Sequence, residues 1–237
     1  SCGEEVPNWI TDMSASGAES FYKFEDGKKK FYDVNSKKYI NVPSSENHYI
    51  LDAFRENKQI LRNPECTVHD IGDGVMCIEF QTKGNSIGEG IAKGINEAID
   101  IAERDGWNGI VIGNNDKQFS VGANLMNMGM MAMQKNFDEI EKFLVGFQKI
   151  LMRMRTCNVP VVSATHGFVM GGGLEVSIHC DAGIHASESY IGLVEAGVGL
   201  IPGGGGTKEM AMRASDSFNS GDVKMPSLID HFKSIAM

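Results

Sequence analysis

Three glycine-rich segments carry the residues whose types and spacing could do chemistry. In Gly171-Gly172-Gly173-Leu174-Glu175-Val176-Ser177-Ile178-His179, three glycines stand directly before an apolar segment of helical character. Glycines let a backbone approach a ligand, and the first N–H groups of a helix are unpaired donors at its positive end, so an anion or a developing oxyanion fits there. Tight packing of a strand against a helix, which needs only small residues, accounts for the triplet equally well. Glu175 falls in the first turn of that helix, between Leu174 and Val176. It is either a charge complementing the helix start or a desolvated acid or base with a raised pKa.

The second segment, Phe119-Ser120-Val121-Gly122-Ala123-Asn124, follows a short apolar run. Its Gly-Ala pair could aim another N–H at the same point, because loops leaving the C-terminal ends of neighbouring parallel strands converge where α/β sheets bind ligands. The third runs from Glu195 through Gly197, Gly199, Pro202 and Gly203-Gly204-Gly205-Gly206 to Thr207-Lys208. A Walker A loop needs Gly-Lys-Ser/Thr, but here Thr207 precedes Lys208. A dinucleotide fingerprint needs G-x-G-x-x-G, but Gly197, Gly199 and Gly203 are spaced one residue too wide. Both phosphate-loop readings are excluded.

These loops need a frame that brings them together. Thr67 to Asp70 and Val75 to Gln81 flank Gly72-Asp73-Gly74, a hairpin signal in which Val75, Cys77 and Glu79 alternate against Met76, Ile78 and Phe80. Ile87, Ile91, Ile95, Ala98, Ile99 and Ala102 share one face of a helix that Gly106 ends. Gly109 to Gly113 and Pro160 to Ala164 are continuous apolar runs, as in strands buried on both faces. Between them, Ile140, Phe143, Leu144, Phe147, Ile150, Leu151 and Met154 form the stripe of a long helix from about Phe137 to Met154. This alternation implies right-handed crossovers and a mainly parallel sheet.

Residues 1 to about 65 differ in texture. Lys28-Lys29-Lys30 and Lys37-Lys38 sit among aromatic residues, and Asp26-Gly27 signals a turn between two short strands. Pro43-Ser44-Ser45-Glu46-Asn47 reads as a linker, followed by a short helix through Ile50, Phe54 and Ile60. The segment has the character of an appendage or an interdomain segment.

With 237 residues, 42% of them hydrophobic, the chain is long enough for one sizeable core. Its net charge of -9 and pI near 5.2 argue against a nucleic-acid partner. Cys2, Cys66, Cys77, Cys157 and Cys180 are odd in number and widely spaced, without a C-x-x-C pair. That pattern fits reduced thiols in a cytoplasmic protein better than a disulfide framework or a zinc site. No apolar run approaches the roughly 18 residues a membrane span requires.

Residues about 67 to 214 resemble the crotonase superfamily. The resemblance is carried by His166-Gly167-Phe168-Val169-Met170-Gly171-Gly172-Gly173-Leu174-Glu175, by Cys180-Asp181, and by Glu195 with Gly199-Leu200-Ile201-Pro202-Gly203-Gly204-Gly205-Gly206-Thr207. It implies an α/β fold, a crotonase-like (ββα)n superhelix with mainly parallel strands and a small N-terminal appendage. Residues 1–65 would be that appendage and 66–237 the crotonase-like domain. By the same resemblance, the amides of Ala123 and Gly172 form an oxyanion hole for a thioester carbonyl, Glu175 orients and deprotonates water, and Glu195 delivers a proton to the α-carbon. Ser120, Val121, Gly122, Met126, Met128, Gly171, Gly199, Pro202 and Gly203 are the substrate-binding residues it implies.

The activity it implies is hydration of 2-trans-enoyl-CoA to 3-hydroxyacyl-CoA in fatty-acid β-oxidation. Enoyl-CoA isomerisation, acyl-CoA thioester hydrolysis and a non-catalytic acyl-CoA-binding or assembly role are the alternatives. Coenzyme A enters as part of the substrate, and no separate cofactor or metal is expected on this chain. Asn124 departs from the aspartate common in the family, which implies an altered loop contact with the two amides kept. His166 reads as a structural hydrogen-bonding residue and Asp181 as a buried, satisfied carboxylate. The methionines from Met126 to Met133 suit an adaptable acyl pocket, or core filling.

A shorter resemblance links Val6-Pro7-Asn8-Trp9-Ile10 and Gly17-Ala18-Glu19-Ser20-Phe21-Tyr22-Lys23 to the connector after the dehydrogenase module of bacterial two-part β-oxidation enzymes. It implies a parent protein with an NAD-dependent 3-hydroxyacyl-CoA dehydrogenase, NAD binding there only, and a chain cut at both ends, stopping at the start of a helix near Phe232. A homo-oligomer when complete, and association with thiolase or other β-oxidation enzymes, are the accompanying expectations.

Overall fold

The computed structural model describes residues 6–25, 28–43, 48–54, 58–216, 218 and 225–236. The chain divides into two units, Ser1–Lys58 and Gln59–Met237. In the first, helix α1 (Asn8–Ala15) precedes three antiparallel strands, β1 (Tyr22–Glu25), β2 (Lys28–Asp33) and β3 (Lys38–Asn41). The two expected strands are present, joined by a third. The Asp26-Gly27 turn and residues 44–47 of the linker lie outside the described residues. Lysines suit this small sheet because their charges rest on its rings: Lys23 Nζ stands 4.7 Å from the Tyr39 centroid and Lys29 Nζ 4.5 Å from that of Tyr22.

Of the short helix expected through Ile50, Phe54 and Ile60, residues 55–57 lie outside the described residues, and the described ones do not form an α-helix. Leu51–Ala53 is a single 3-10 turn and Ile60 lies in a strand. A six-residue step from Phe54 to Ile60 fits no helical face, whereas Gln59–Arg62 gains a ladder against the following strand.

In the second unit, β4 (Gln59–Arg62), β5 (Cys66–Asp70) and β6 (Val75–Phe80) form an antiparallel meander. Helix α2 (Glu89–Asp105) crosses to β7 (Gly109–Ile112), and α3 (Leu125–Met133) and α4 (Phe137–Thr156) lead to β8 (Val161–Thr165). The chain continues through β9 (Phe168–Met170), α5 (Gly172–Ile178), β10 (Ala182–His185), β11 (Tyr190–Gly192), α6 (Gly206–Asp216) and α7 (Met225–Ala236). Among the described residues the main sheet has the order β10-β8-β7-β6-β5-β4, parallel from β6 to β10, while β9 and β11 pair in parallel beside it. The expected α/β architecture with mainly parallel strands is therefore present. Helix α7 begins at Met225, earlier than the sequence suggests. No helix among the described residues is long and apolar enough to cross a membrane.

The core lies between α2, α4 and one face of the sheet. Ile91, Ile95, Ala98, Ile99 and Ala102 of α2 are buried with Met76, Ile78 and Phe80 of β6, Ile110 and Ile112 of β7, and Phe147, Leu151 and Met154 of α4. Each fully buried isoleucine contributes roughly 1.5–3 kcal/mol relative to exposure. Ile87, the first apolar residue of the predicted helical stripe, lies just ahead of α2 and bridges to Ala123 instead. The core thereby reaches the loop that follows β7.

Candidate active site

The loop after β7 and the segment from β9 into α5 meet at one point. Ser120 N donates to Phe168 O at 3.0 Å and Met170 N to Ser120 O at 3.0 Å, so the loop is laid along β9. Ser120 is fully buried; its hydroxyl donates to Asn85 O at 2.7 Å and accepts from Gly122 N at 3.1 Å. Gly122 has φ +91°, and a Cβ there would stand 2.8 Å from Met170 O and 3.1 Å from Gly172 N. Only glycine allows that approach. Ile87 grips both sides of the next residue, its N–H donating to Gly122 O at 2.8 Å and its carbonyl accepting from Asn124 N at 3.3 Å.

The amides of Ala123 and Gly172 end up side by side, since a Cβ on Gly172 would lie 3.3 Å from Ala123 N. Among the described residues neither amide donates to a backbone carbonyl. Gly171, at φ +50° and ψ -120°, turns the chain from β9 into α5. Its N–H donates to Gly192 O at 2.9 Å and its carbonyl accepts from Glu175 N at 2.9 Å.

Glu175 projects from the first turn of α5 and is 3% exposed. Its Oε1 accepts from Gly206 N at 2.8 Å, and its Oε2 lies where a Cβ on Gly204 would collide with it. Burial raises its pKa above the usual carboxylate range; the Gly206 N–H opposes that rise and the nearby charge of Glu195 adds to it. Glu195 opens a 3-10 turn, Glu195–Val198, and its Oε1 would be 2.9 Å from a Cβ on Gly171. Its Oε2 is buried with no hydrogen-bond partner among the described residues, and burial raises its pKa as well. Two carboxylates biased toward their protonated forms thus flank the glycine turn next to two unengaged amides.

Of the other residues expected at the site, Pro202 is buried, Gly199 closes the 3-10 turn at φ +77°, and Gly203 O accepts from Gln148 Nε2 at 2.6 Å. They shape the loop from Glu195 to Gly206. Val121 is 42% exposed. A cavity of about 380 Å³ opens beside Asn124, lined by Lys83, Ile87, Met128, Met131, Ile140 and Phe143 among others. Met128 therefore faces a cavity, whereas Met126 is 77% exposed and is not on its wall. Neither glutamate lines the cavity.

Asn124 caps α3, its Oδ1 accepting from Asn127 N at 3.2 Å. His166 Nε2 donates to Asp116 O at 2.6 Å, a structural bond. Asp181 accepts from Val161 N at 2.8 Å, but it is exposed where a buried carboxylate was expected, because it follows α5 at the rim of the sheet. Burial pushes the thiols up, Cys66 to about 11 and Cys77 and Cys180 to about 12, which leaves them unreactive; Cys2 lies outside the described residues.

Sequence reasoning missed the cluster behind Glu175, in which the buried Glu209 and His179 meet the partly buried Arg155. The spacing of Glu209 and Arg213, next to Lys208, has the pattern of a solvated helix face, so it gave no signal of burial.

Known proteins share this arrangement of elements. The sequence profile described as enoyl-CoA hydratase/isomerase matches residues 70–221. A probable 3-hydroxyacyl-CoA dehydrogenase of Bacillus subtilis (strain 168) is 37% identical over 236 residues, 99% of this chain and 29% of that protein. The chain thus spans under a third of that relative's length. A short-chain-enoyl-CoA hydratase of Clostridium acetobutylicum is 35% identical over 102 residues, 43% of this chain and 38% of that protein. Among solved structures, an enoyl-CoA hydratase from Geobacillus kaustophilus HTA426 superposes with a TM-score of 0.61 at 22% identity, over 74% of this chain and 62% of that one. The fold is that of the crotonases, and with a profile match that covers all three glycine-rich segments and both glutamates, the chain belongs to the enoyl-CoA hydratase/isomerase family.

Proposed function

We propose that this chain hydrates 2-trans-enoyl-CoA thioesters to 3-hydroxyacyl-CoA within a longer β-oxidation enzyme. The observation that carries the reading is the pair of carboxylates, Glu175 and Glu195, beside the unengaged amides of Ala123 and Gly172. In this reading the thioester oxygen sits against the two N–H groups. Glu175, as carboxylate, takes a proton from water while the hydroxide adds to the β-carbon. Negative charge moves to the thioester oxygen, and Glu195, as carboxylic acid, delivers a proton to the α-carbon. The proton left on Glu175 restores Glu195 between turnovers, so water is consumed and both groups are regenerated. Loss of one fixed N–H donor to such an oxyanion typically costs about 3 kcal/mol.

The cavity next to Asn124, with Met128, Met131 and Phe143 on its wall, suits the acyl chain, since thioether side chains adapt to different lengths. The similarity to a relative named for 3-hydroxyacyl-CoA dehydrogenase supports a parent protein that also carries that activity. NAD would bind on that other part. A cytoplasmic location, assembly into homo-oligomers and association with thiolase belong to the same reading.

Crotonyl-CoA hydration, followed by loss of enoyl absorbance, tests it. The chain, extended to its parent protein, is expected to hydrate crotonyl-CoA, with kcat falling at least 100-fold in Glu175→Gln and in Glu195→Gln. Near-normal turnover by either variant would sink the two-glutamate mechanism. Isomerisation of 3-enoyl-CoA or hydrolysis of saturated acyl-CoA in place of hydration would move the chain to another reaction of the family.

A further inference from the structure

Helix α6 opens with the N–H that holds the Glu175 carboxylate, and one turn further on it buries an ionisable group that hydration does not use. Glu209 is 0% exposed. Its Oε1 pairs with Arg155 and accepts from Arg213 Nε at 3.1 Å. Its Oε2 makes no hydrogen bond among the described residues, with Lys208 Nζ and His179 Nε2 each 3.8 Å away. A carboxylate so deeply buried is tolerated only where charges compensate it, and here three cations do.

His179 connects this cluster to the site. Lys208 Nζ, which can only donate, lies 3.0 Å from His179 Nε2, so that nitrogen accepts and the ring proton sits on Nδ1. Nδ1 donates to the main-chain oxygen of Glu175 at 2.7 Å. Burial pushes the His179 pKa down, which favours the same neutral form. Gly205 rests on the ring, where a Cβ would lie 3.2 Å from Cε1. One neutral imidazole therefore links the peptide of Glu175 to the turn that holds its carboxylate. Behind that ring stands Glu209.

We propose that Glu209 is a positioning residue for Glu175: by anchoring Arg155, Lys208 and Arg213 it holds Lys208 against His179 Nε2, which fixes the tautomer of the ring, and fixes the start of α6, whose N–H orients the Glu175 carboxylate. The consequence for hydration rests on the reading of Glu175 as the group that takes a proton from water. Glu195 is the charged group beside Glu175, the His179 ring bonds to its main-chain oxygen, and Lys208, Arg155 and Arg213 stand around Glu209 on the far side of that ring. Glu209→Gln keeps the shape of the side chain but leaves an uncompensated positive charge behind the carboxylate, which favours ionised Glu175. Arg213→Gln, at a half-exposed side chain, does the opposite.

The test is the titration of Glu175 followed by carboxyl 13C NMR in the full chain, its resonance assigned by disappearance in Glu175→Gln. The midpoint is expected to fall by about one pH unit in Glu209→Gln. It should rise in Arg213→Gln and return to the wild-type value in the double variant. In the hydration assay Glu209→Gln should lower kcat about tenfold while KM stays within about twofold. If Glu209→Gln does not fold, Arg213→Gln alone decides. A Glu175 midpoint that does not move overturns the inference, whatever the hydration rate. Midpoints that move as stated in a wild-type protein without hydratase activity would remove the hydratase reading and leave the positioning network standing.

Discussion

At the scale of single residues, the site is a set of glycines whose missing side chains make room for two carboxylates. Gly171 leaves space for Glu195 and Gly204 for Glu175, so Glu175 is buried and Glu195 half-buried against backbone. That burial raises both pKa values, with a consequence for stability. A carboxyl whose folded pKa is raised binds its proton more tightly in the folded state, so its stabilising contribution is full at pH below about 4.3 and is lost as pH rises through the folded value. At neutral pH Glu195, with a buried Oε2 lacking a partner, burdens the fold. Glu195→Gln is therefore expected to raise Tm by about 2–4 °C at pH 8 and by less at pH 5, while hydration is lost. Thermal melts at the two pH values check this; equal differences at both would contradict the assigned burial effect.

At the scale of elements, α2 shows how closely the frame is fitted. Gly94 is buried in mid-helix, where glycine costs about 1 kcal/mol relative to alanine, yet a Cβ there would collide with Cys66 Sγ of β5. Overpacking costs roughly 1–3 kcal/mol, so Gly94→Ala is expected to be neutral to destabilising by about 2 kcal/mol. In a Cys66→Ala background, with the sulfur gone, the same change should stabilise. A urea double-mutant cycle measures the coupling, and additive effects would refute the contact. Most of these elements were legible in the sequence. The hairpin around Gly72-Asp73-Gly74, α2, β7, α4 and β8 each had a strong period or a continuous apolar run. β10 and β11 were not, because strands of three or four largely exposed residues leave no pattern. Ile60 misled because an isolated apolar residue fits a strand as well as a helix.

At the scale of the whole molecule, the buried apolar cluster is drawn entirely from residues 60 to 180 and its partners within the second unit. A chain beginning at Gln59 is therefore expected to fold by itself, with helical circular dichroism and a single cooperative melt. A broad, uncooperative transition would show that residues 1–58 complete the core. The first unit has its own small framework, with Met13 and Tyr32 buried beside a lysine-rich sheet.

The sequence by itself determined the chemistry on offer: glycines at a helix start, a glutamate in the first turn, a second glutamate twenty residues on, and apolar periods strong enough to place the strands and helices between them. Those are local properties, set by backbone freedom and by the spacing of apolar side chains. What only the tertiary structure decided is which of these groups meet. The contact of Gly122 with Gly172, the gripping of Ala123 by Ile87, and the hold of Gly206 on Glu175 join residues 31 to 50 positions apart through distances that no local spacing encodes. The same holds for Glu209, whose charged neighbours in sequence suggest water but which the packing of α6 against α5 removes from it.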